Sequence, residues 1–405
     1  MSRTTTAVAS ATVASAAGPP RLGVAMLIQS YYPRIGGAES NLQALIRPFA
    51  ERGIQVRVLT RRFPGMARRE VVAGAPVHRL PVPGGRIAAA LAFTASAVWL
   101  LARSRRSIDV IHAHELLSPT TTGILAKLLL RRPVVAHVLR GGLLGDVAVL
   151  RRAPLGRPRL WLFTRLVDAF VVVSAETEGE LLALGVPRER LALVPYGVDT
   201  SRFRPAPAGE RDRLRRELGL DARRPVVLFV ARLEPEKGAA TLLDAWPAIK
   251  ATIPDALLLI AGDGSERAAL EARAGARPDV RFLGAVRDPL PYLQAADCYT
   301  LPSASEGLPN SLVEALATGL PCVATTIGGS TEVLDHGRLG WLVPPGDASA
   351  LAAAILEALR LDPAERRRRG AAGRARVQEQ YSLETNADRL DGLYRRLAGM
   401  RQQRP

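Results

Sequence analysis

Ser303 to Gly329 reads SASEGLPNSLVEALATGLPCVATTIGG. Gly307 and Pro309 favour an irregular loop, and the LVEALA run after Asn310 has helical spacing. Gly319 and Pro321 stop that helix, and CVATT reads as a buried strand. Glu306 is thereby placed in a loop ahead of a helix N-terminus, with Glu314 about one turn inside the helix. The start of a helix presents N–H groups without intrahelical partners and partial positive charge, which suit a phosphate. A carboxylate in the loop can hydrogen-bond sugar hydroxyls, and one in the first turn can hold a ribose diol. The arrangement suits a nucleotide-sugar.

Such a ligand needs cations for its diphosphate. VVLFVARLEPEKG (Val226 to Gly238) is an apolar strand followed by Arg232 and then a short turn carrying Lys237. Ligands of open α/β sheets bind outside the carboxyl ends of strands, where Arg232 and Lys237 are expected. Two fixed cations can neutralise a leaving diphosphate as a metal ion does. The chain has no Asp-x-Asp pair and no HExxH. This pattern points to chemistry with no metal and no cofactor beyond the donor substrate.

At these residues the chain resembles the family-4 retaining glycosyltransferases of the GT-B fold. The shared features are the Glu-x7-Glu spacing of Glu306 and Glu314, the ARLEPEKG loop, and VPYGVDTSRFRP (Val194 to Pro205). LIAGDGSE (Leu259 to Glu266), VRFLGAV (Val280 to Val286) and YYPRIGGAES (Tyr31 to Ser40) complete the set, in the family's order, from about residue 22 to about residue 395. The resemblance implies an NDP-sugar donor and a metal-independent transfer that keeps the anomeric configuration. Arg232 and Lys237 would stabilise the leaving diphosphate. Glu306 would hold the sugar with Gly307, Leu308, Pro309 and Asn310, and Ser311, Leu312 and Glu314 would complete the donor site. The base would rest near Val286, and Gly36 and Gly37 would approach the diphosphate.

The fold expected is α/β, with two Rossmann-like, doubly wound parallel-sheet domains facing across a cleft. LGVAMLIQS, QVRVLTRR, DVIHAHE, PVVAHVLR and DAFVVVS alternate with helix-length patterns in the first half, and PVVLFVA, ALLLIAG, VRFLG, CYTLPS, PCVATT and GWLVPP do so in the second. The expected organisation is a disordered tail over 1–20 and an acceptor-binding domain over 21–200. A nucleotide-sugar domain follows over 201–380, and a last segment, 381–405, crosses back to the first domain. Cys298 and Cys322 form no CxxC pattern and lie in strand-like runs, so they read as buried thiols in a reducing cytoplasm.

The net charge of +17 is uneven. Residues 1–200 hold 26 Lys/Arg against 12 Asp/Glu, and residues 201–405 hold 29 against 26. A basic first half suits an anionic membrane face or an anionic acceptor, glycan or lipid-linked, rather than nucleic acid. Val147 to Val167 concentrates five arginines with Trp161 and Phe163 and no acid. It reads either as a lipid-facing segment or as a solvated loop anchored by its aromatics. Ile87 to Ala102 is apolar but shorter than the roughly 20 residues a span requires, and reads as a helix packed on a sheet.

Three further positions bear on the site. Gly36-Gly37 opens a helix after the first strand and is not GxGxxG, which argues against a dinucleotide dehydrogenase. His112 and His114 share one strand face, but no third metal ligand stands at a recognisable spacing, so His114 is assigned to the acceptor side of the cleft. Many relatives carry a His-Gly pair after the strand Pro133 to Val138, whose His contacts the donor sugar. Here Leu139 and Arg140 precede Gly141, so Arg140 and Gly141 are the candidates. Two other classes fit parts of the pattern: a nucleotide-sugar epimerase or hydrolase of the same fold, and a non-catalytic polyanion-binding protein. The second leaves Arg232, Lys237, Glu306 and Glu314 without a role.

Overall fold

A computed structural model describes residues 21–33, 36–142, 145–153, 155–207 and 209–402. The expected tail over 1–20 lies outside the described residues. The first sheet holds β1 (Leu22–Leu27), β2 (Ile54–Arg61), β3 (Arg69–Val72), β4 (Ala75–Leu80), β5 (Val110–His114), β6 (Val134–Val138), β7 (Ala169–Val172) and β8 (Leu191–Leu193). The second holds β9 (Val226–Val230), β10 (Leu257–Ala261), β11 (Val280–Gly284), β12 (Cys298–Leu301), β13 (Cys322–Thr325) and β14 (Trp341–Val343).

Strand order is β3-β4-β2-β1-β5-β6-β7-β8 in the first sheet and β11-β10-β9-β12-β13-β14 in the second. Every pair is parallel except β3 with β4. The central strands are buried on both faces because helices cover both, which is why they read as continuous apolar runs. In each sheet the winding reverses once, between β1 and β5 and between β9 and β12. Crevices at such reversals are where open α/β sheets bind ligands.

The chain crosses between the sheets twice, and the crossings touch. Val198 forms a parallel bridge with Ser382: its N–H donates to the Tyr381 carbonyl at 2.7 Å, and its carbonyl accepts from Leu383 at 3.1 Å. The final helix, Leu383–Gln402, then packs on the helix Gly37–Glu51 and gives Leu390, Leu393, Tyr394 and Leu397 to the core beneath the first sheet. Both cysteines are free and buried in the second core.

Ile87 to Ala102 lies in one helix, Arg86–Arg103, as expected. Among the described residues no helix is long and apolar enough to cross a membrane. The Arg-rich stretch after Asp146 corrects the loop reading, since it forms two helices, Asp146–Arg152 and Gly156–Leu166.

Candidate active site

The reversal in the second sheet sets the carboxyl ends of β9 and β12 side by side. After β9 a short turn, Pro235–Lys237, ends at Gly238 with φ +71°. A Cβ on Gly238 would sit 2.0 Å from the Pro302 carbonyl oxygen, so this turn seats on the exit of β12 only as glycine. The close seat brings Lys237 Nζ to 2.7 Å from Glu306 Oε1, and Ser303 Oγ donates to the same oxygen at 2.9 Å. Both partners of the ion pair are mostly buried, with 15% and 10% of their side chains exposed. Arg232 is placed differently. Its side chain is exposed, and its only ion pair among the described residues is with Glu236 at 3.7 Å.

The helix Asn310–Ala317 starts beside this pair, and no side chain caps its N-terminus. Ser311 Oγ accepts a hydrogen bond from the buried Tyr299 hydroxyl at 2.6 Å. Leu308 and Leu312 have buried side chains in the second core, so only their backbone faces the site. Pro309 is the residue ahead of the helix, and Val286 lies half-buried just past β11.

Glu314 is largely buried, and burial raises its carboxyl to about 7; Arg202 opposes that rise and Asp288 adds to it. A cavity of about 140 Å³ between the two halves is lined by Asn41, Tyr196, Asp199, Arg202, Asn310 and Glu314.

The first sheet supplies the facing wall. Gly36 precedes the helix Gly37–Glu51, and a Cβ on Gly37 would lie 3.1 Å from Asn310 Nδ2, so the two helix starts meet. A Cβ on Gly307 would lie 2.4 Å from the Leu139 carbonyl oxygen and 3.1 Å from Arg140 Cα. The exit of β6 thus rests on the Glu306 loop, with exposed Arg140 at the seam. Gly141 packs on Glu176, whose carboxylate also abuts Gly328 of the second half. Acids absent from the sequence reading line this wall. Glu115, at φ +78°, accepts from Gln29 Nε2 at 2.8 Å, and burial raises its carboxyl to about 7. Asp146 accepts from the Leu139 N–H at 2.8 Å, and burial raises it to about 6. The +78° φ of Glu115, a residue held in a backbone region costly for a side chain, is visible only in coordinates.

His114 is not an open cleft side chain. It is buried, packed against His112 and against His137 of β6, with ring centroids 4.6 Å and 5.3 Å away. The sequence offered no third partner for His112 and His114. The sheet supplies one, because His114 and His137 are register partners on neighbouring parallel strands, a relation that no local spacing encodes. Among the described residues these three bring one ring nitrogen each within 4.8 Å of the others, which supplies the third partner that sequence spacing lacked.

Two facing, mostly parallel sheets, each wound about its own reversal point, form the GT-B architecture. The profile described as "Glycosyltransferase Family 4" matches residues 35–202, and "Glycosyl transferases group 1" matches 224–360. The chain is 30% identical over 374 residues to a phosphatidyl-myo-inositol mannosyltransferase of Mycobacterium leprae, covering 90% of this chain and 94% of that one. It is 36% identical over 210 residues to a GDP-mannose-dependent monoacylated alpha-(1-6)-phosphatidylinositol monomannoside mannosyltransferase of Corynebacterium glutamicum. That match spans 49% of this chain and 55% of the relative. Anabaena HepE, solved with UDP and glucose, superposes with a TM-score of 0.76 at 22% identity, over 93% of this chain and all of that one. The chain belongs to the family-4, group-1 glycosyltransferases, and it is a glycosyltransferase enzyme.

Proposed function

We propose that this glycosyltransferase is retaining and metal-independent, and moves a sugar from a nucleoside-diphosphate sugar to a hydroxyl of a lipid-linked or growing-glycan acceptor. The observation that carries the reading is the Lys237–Glu306 pair set beside the uncapped start of the helix Asn310–Ala317. Lys237, Arg232 and that helix start together offer the charge that a departing diphosphate needs. Glu306 and the backbone of Gly307 to Asn310 hold the sugar hydroxyls, and Glu314 holds the ribose. The acceptor hydroxyl approaches from the first-sheet wall, on the face that the diphosphate leaves. The bond from the anomeric carbon to the diphosphate oxygen breaks as the new glycosidic bond forms, and a leaving phosphate oxygen takes the hydroxyl proton. No side-chain nucleophile is required.

Nucleoside diphosphates should raise the melting temperature of the full-length protein, since a ligand bound only by the folded state stabilises it. Two relatives carry GDP-mannose or phosphatidylinositol mannosylation in their names and one structural neighbour was solved with UDP, so GDP, UDP and their sugars come first. With an accepted donor, the product's anomeric configuration should match the donor's by NMR. Sugar released with no acceptor present would instead favour a hydrolase or epimerase.

The lipid side rests on the helices over the first sheet. Ile87, Leu91 and Trp99 are 78%, 67% and 63% exposed on the helix Arg86–Arg103. The helix Ser118–Leu130 packs against it and exposes Leu128 and Leu129, and the helix Gly156–Leu166 packs next and exposes Trp161. Arg165 lies over the Trp161 ring at 4.6 Å. Exposed apolar side chains edged with arginine suit an anionic bilayer surface, where each cation contributes about 1 kcal/mol. Arg159 is not part of this face. Its guanidinium donates to Thr121 Oγ1 at 3.0 Å and lies over Phe163. In liposome flotation the protein should bind anionic vesicles, less so with added salt, and bind neutral ones little. Exchanging Arg151, Arg157 and Trp161 for Ser should reduce binding. Indifference to anionic vesicles at low salt would leave a soluble acceptor as the better reading.

A further inference from the structure

His112 and His114 leave one face of β5, and His137 leaves the same face of β6, all three buried. The ring centroids of His112 and His137 are 5.4 Å apart, and one nitrogen from each of the three rings lies within 4.8 Å of the others. Nitrogens bound to one zinc ion at about 2.05 Å sit about 3.4 Å apart in tetrahedral geometry, so modest rotation of the rings closes the set. A neutral imidazole keeps one ring nitrogen with a free lone pair, so three rings can offer three ligand atoms.

Hydrogen bonding leaves this cluster incomplete. His112 Nδ1 meets the Tyr394 hydroxyl at 2.6 Å, while His112 Nε2 and both nitrogens of His114 and of His137 have no partner among the described residues. Buried polar atoms in native folds are nearly always satisfied, and one left unmade costs about 1–3 kcal/mol. Five such atoms in three adjacent rings, with one nitrogen of each ring within 4.8 Å of the others, call for a bound species among them.

We propose that His112, His114 and His137 bind one divalent first-row transition ion of the zinc class, with water at its fourth position. Three neutral imidazoles form a sufficient zinc set, and imidazole favours zinc, copper and nickel over magnesium or calcium. The Tyr394 contact is the outer partner such a site requires, since a ligating histidine holds its second nitrogen on an oxygen that fixes ring and tautomer. Tyr394 belongs to the final helix, so the ion ties β5 and β6 to the segment that returns from the second half. It lies inside the first core, apart from the Lys237–Glu306 pair. Its role is structural, and the transfer chemistry does not pass through it.

The test uses untagged full-length protein from cells grown in zinc- or cobalt-supplemented minimal medium. Native mass spectrometry should find close to one ion per chain, and the cobalt form should show visible d–d absorption. Prolonged chelation should lower the melting temperature, and restoring the ion should recover it. His137→Gln should abolish the cobalt bands. Tyr394→Phe should keep them with affinity about 10–100-fold weaker. Exchange of His78 and His336, the other two histidines, for Ala should change neither stoichiometry nor spectrum. Wild-type protein with under about a tenth of an equivalent of metal and no cobalt band overturns the proposal in favour of trapped water, even if His137→Gln fails to fold. Bands that survive in a folded His137→Gln variant also overturn it.

Discussion

Lys237→Ala should lower turnover by roughly a hundredfold or more, the usual cost of removing one preorganised charge partner from a developing anion. Its neighbour Arg232→Ala should do the same, yet the two variants should differ in stability. Lys237 is locked to Glu306 at 2.7 Å with both side chains mostly buried. Its removal leaves a carboxylate with only the Ser303 hydroxyl as a hydrogen-bond partner among the described residues, a loss of about 3 kcal/mol for a pair shielded from water. Arg232 is exposed and only loosely paired with Glu236, so its loss should leave the melting temperature almost unchanged. Thermal melts and initial rates on the same preparations separate the two effects. In the mechanism proposed here these cations replace a metal at the diphosphate. Adding magnesium or manganese to protein assayed in buffer free of both ions should then leave turnover unaltered, and a strict requirement for either ion would sink the metal-free reading.

The two glutamates should fail in different ways. Glu306→Ala should abolish transfer while nucleoside-diphosphate affinity stays close to wild type, because the proposed role of Glu306 is to hold the sugar and not the nucleotide. Glu314→Gln should weaken nucleoside-diphosphate binding about tenfold to a hundredfold, the loss of a hydrogen bond to a charged acceptor. It should also stabilise the unliganded protein at neutral pH and above. Burial raises the Glu314 carboxyl to about 7, against about 4.5 when unfolded. The folded state therefore binds the extra proton across that window, and the stability from this group is present at acid pH and lost as pH rises towards 7. The melting temperature of Glu314→Gln should match wild type near pH 4.5 and exceed it progressively up to pH 8. Equal affinity for the diphosphate in both variants and wild type, with activity intact, would place the donor elsewhere.

Much of this architecture was legible because its signals are local. The strands β1, β5, β6 and β9 are continuous apolar runs, and Glu306 and Glu314 flank a helix start that Pro309 and Gly307 announce. The antiparallel pair β3–β4 was not legible. REVV is the edge strand and is exposed at three of its four positions, and APVHRL beside it carries Pro76, His78 and a buried Arg79 that interrupt its apolar alternation. In the Arg-rich segment Pro158 does not break a helix. It falls in the first turn of the helix Gly156–Leu166, where the missing N–H costs nothing. His137, Glu115 and Glu176 were beyond reach for another reason: their meaning comes from strand register and from contact between halves, not from neighbours in the chain. Leu308 and Leu312 carry the motif's apolar pattern, but that pattern serves the core, and only the backbone between them belongs to the ligand.

The placement of the last helix has a consequence for how the protein is made. Leu390, Leu393, Tyr394 and Leu397 complete the core beneath a sheet whose strands all precede residue 194. A ribosome delivers those strands first, and domains generally fold as they emerge. Here the second half can close on itself while the first still lacks one wall. Until the final twenty or so residues are released, Val24, Val56 and Val110 have no final-helix side chains to cover them. Cells that express the chain shortened at its end should accumulate a chaperone-bound, aggregation-prone product, even though every residue of the Lys237–Glu306 site is present.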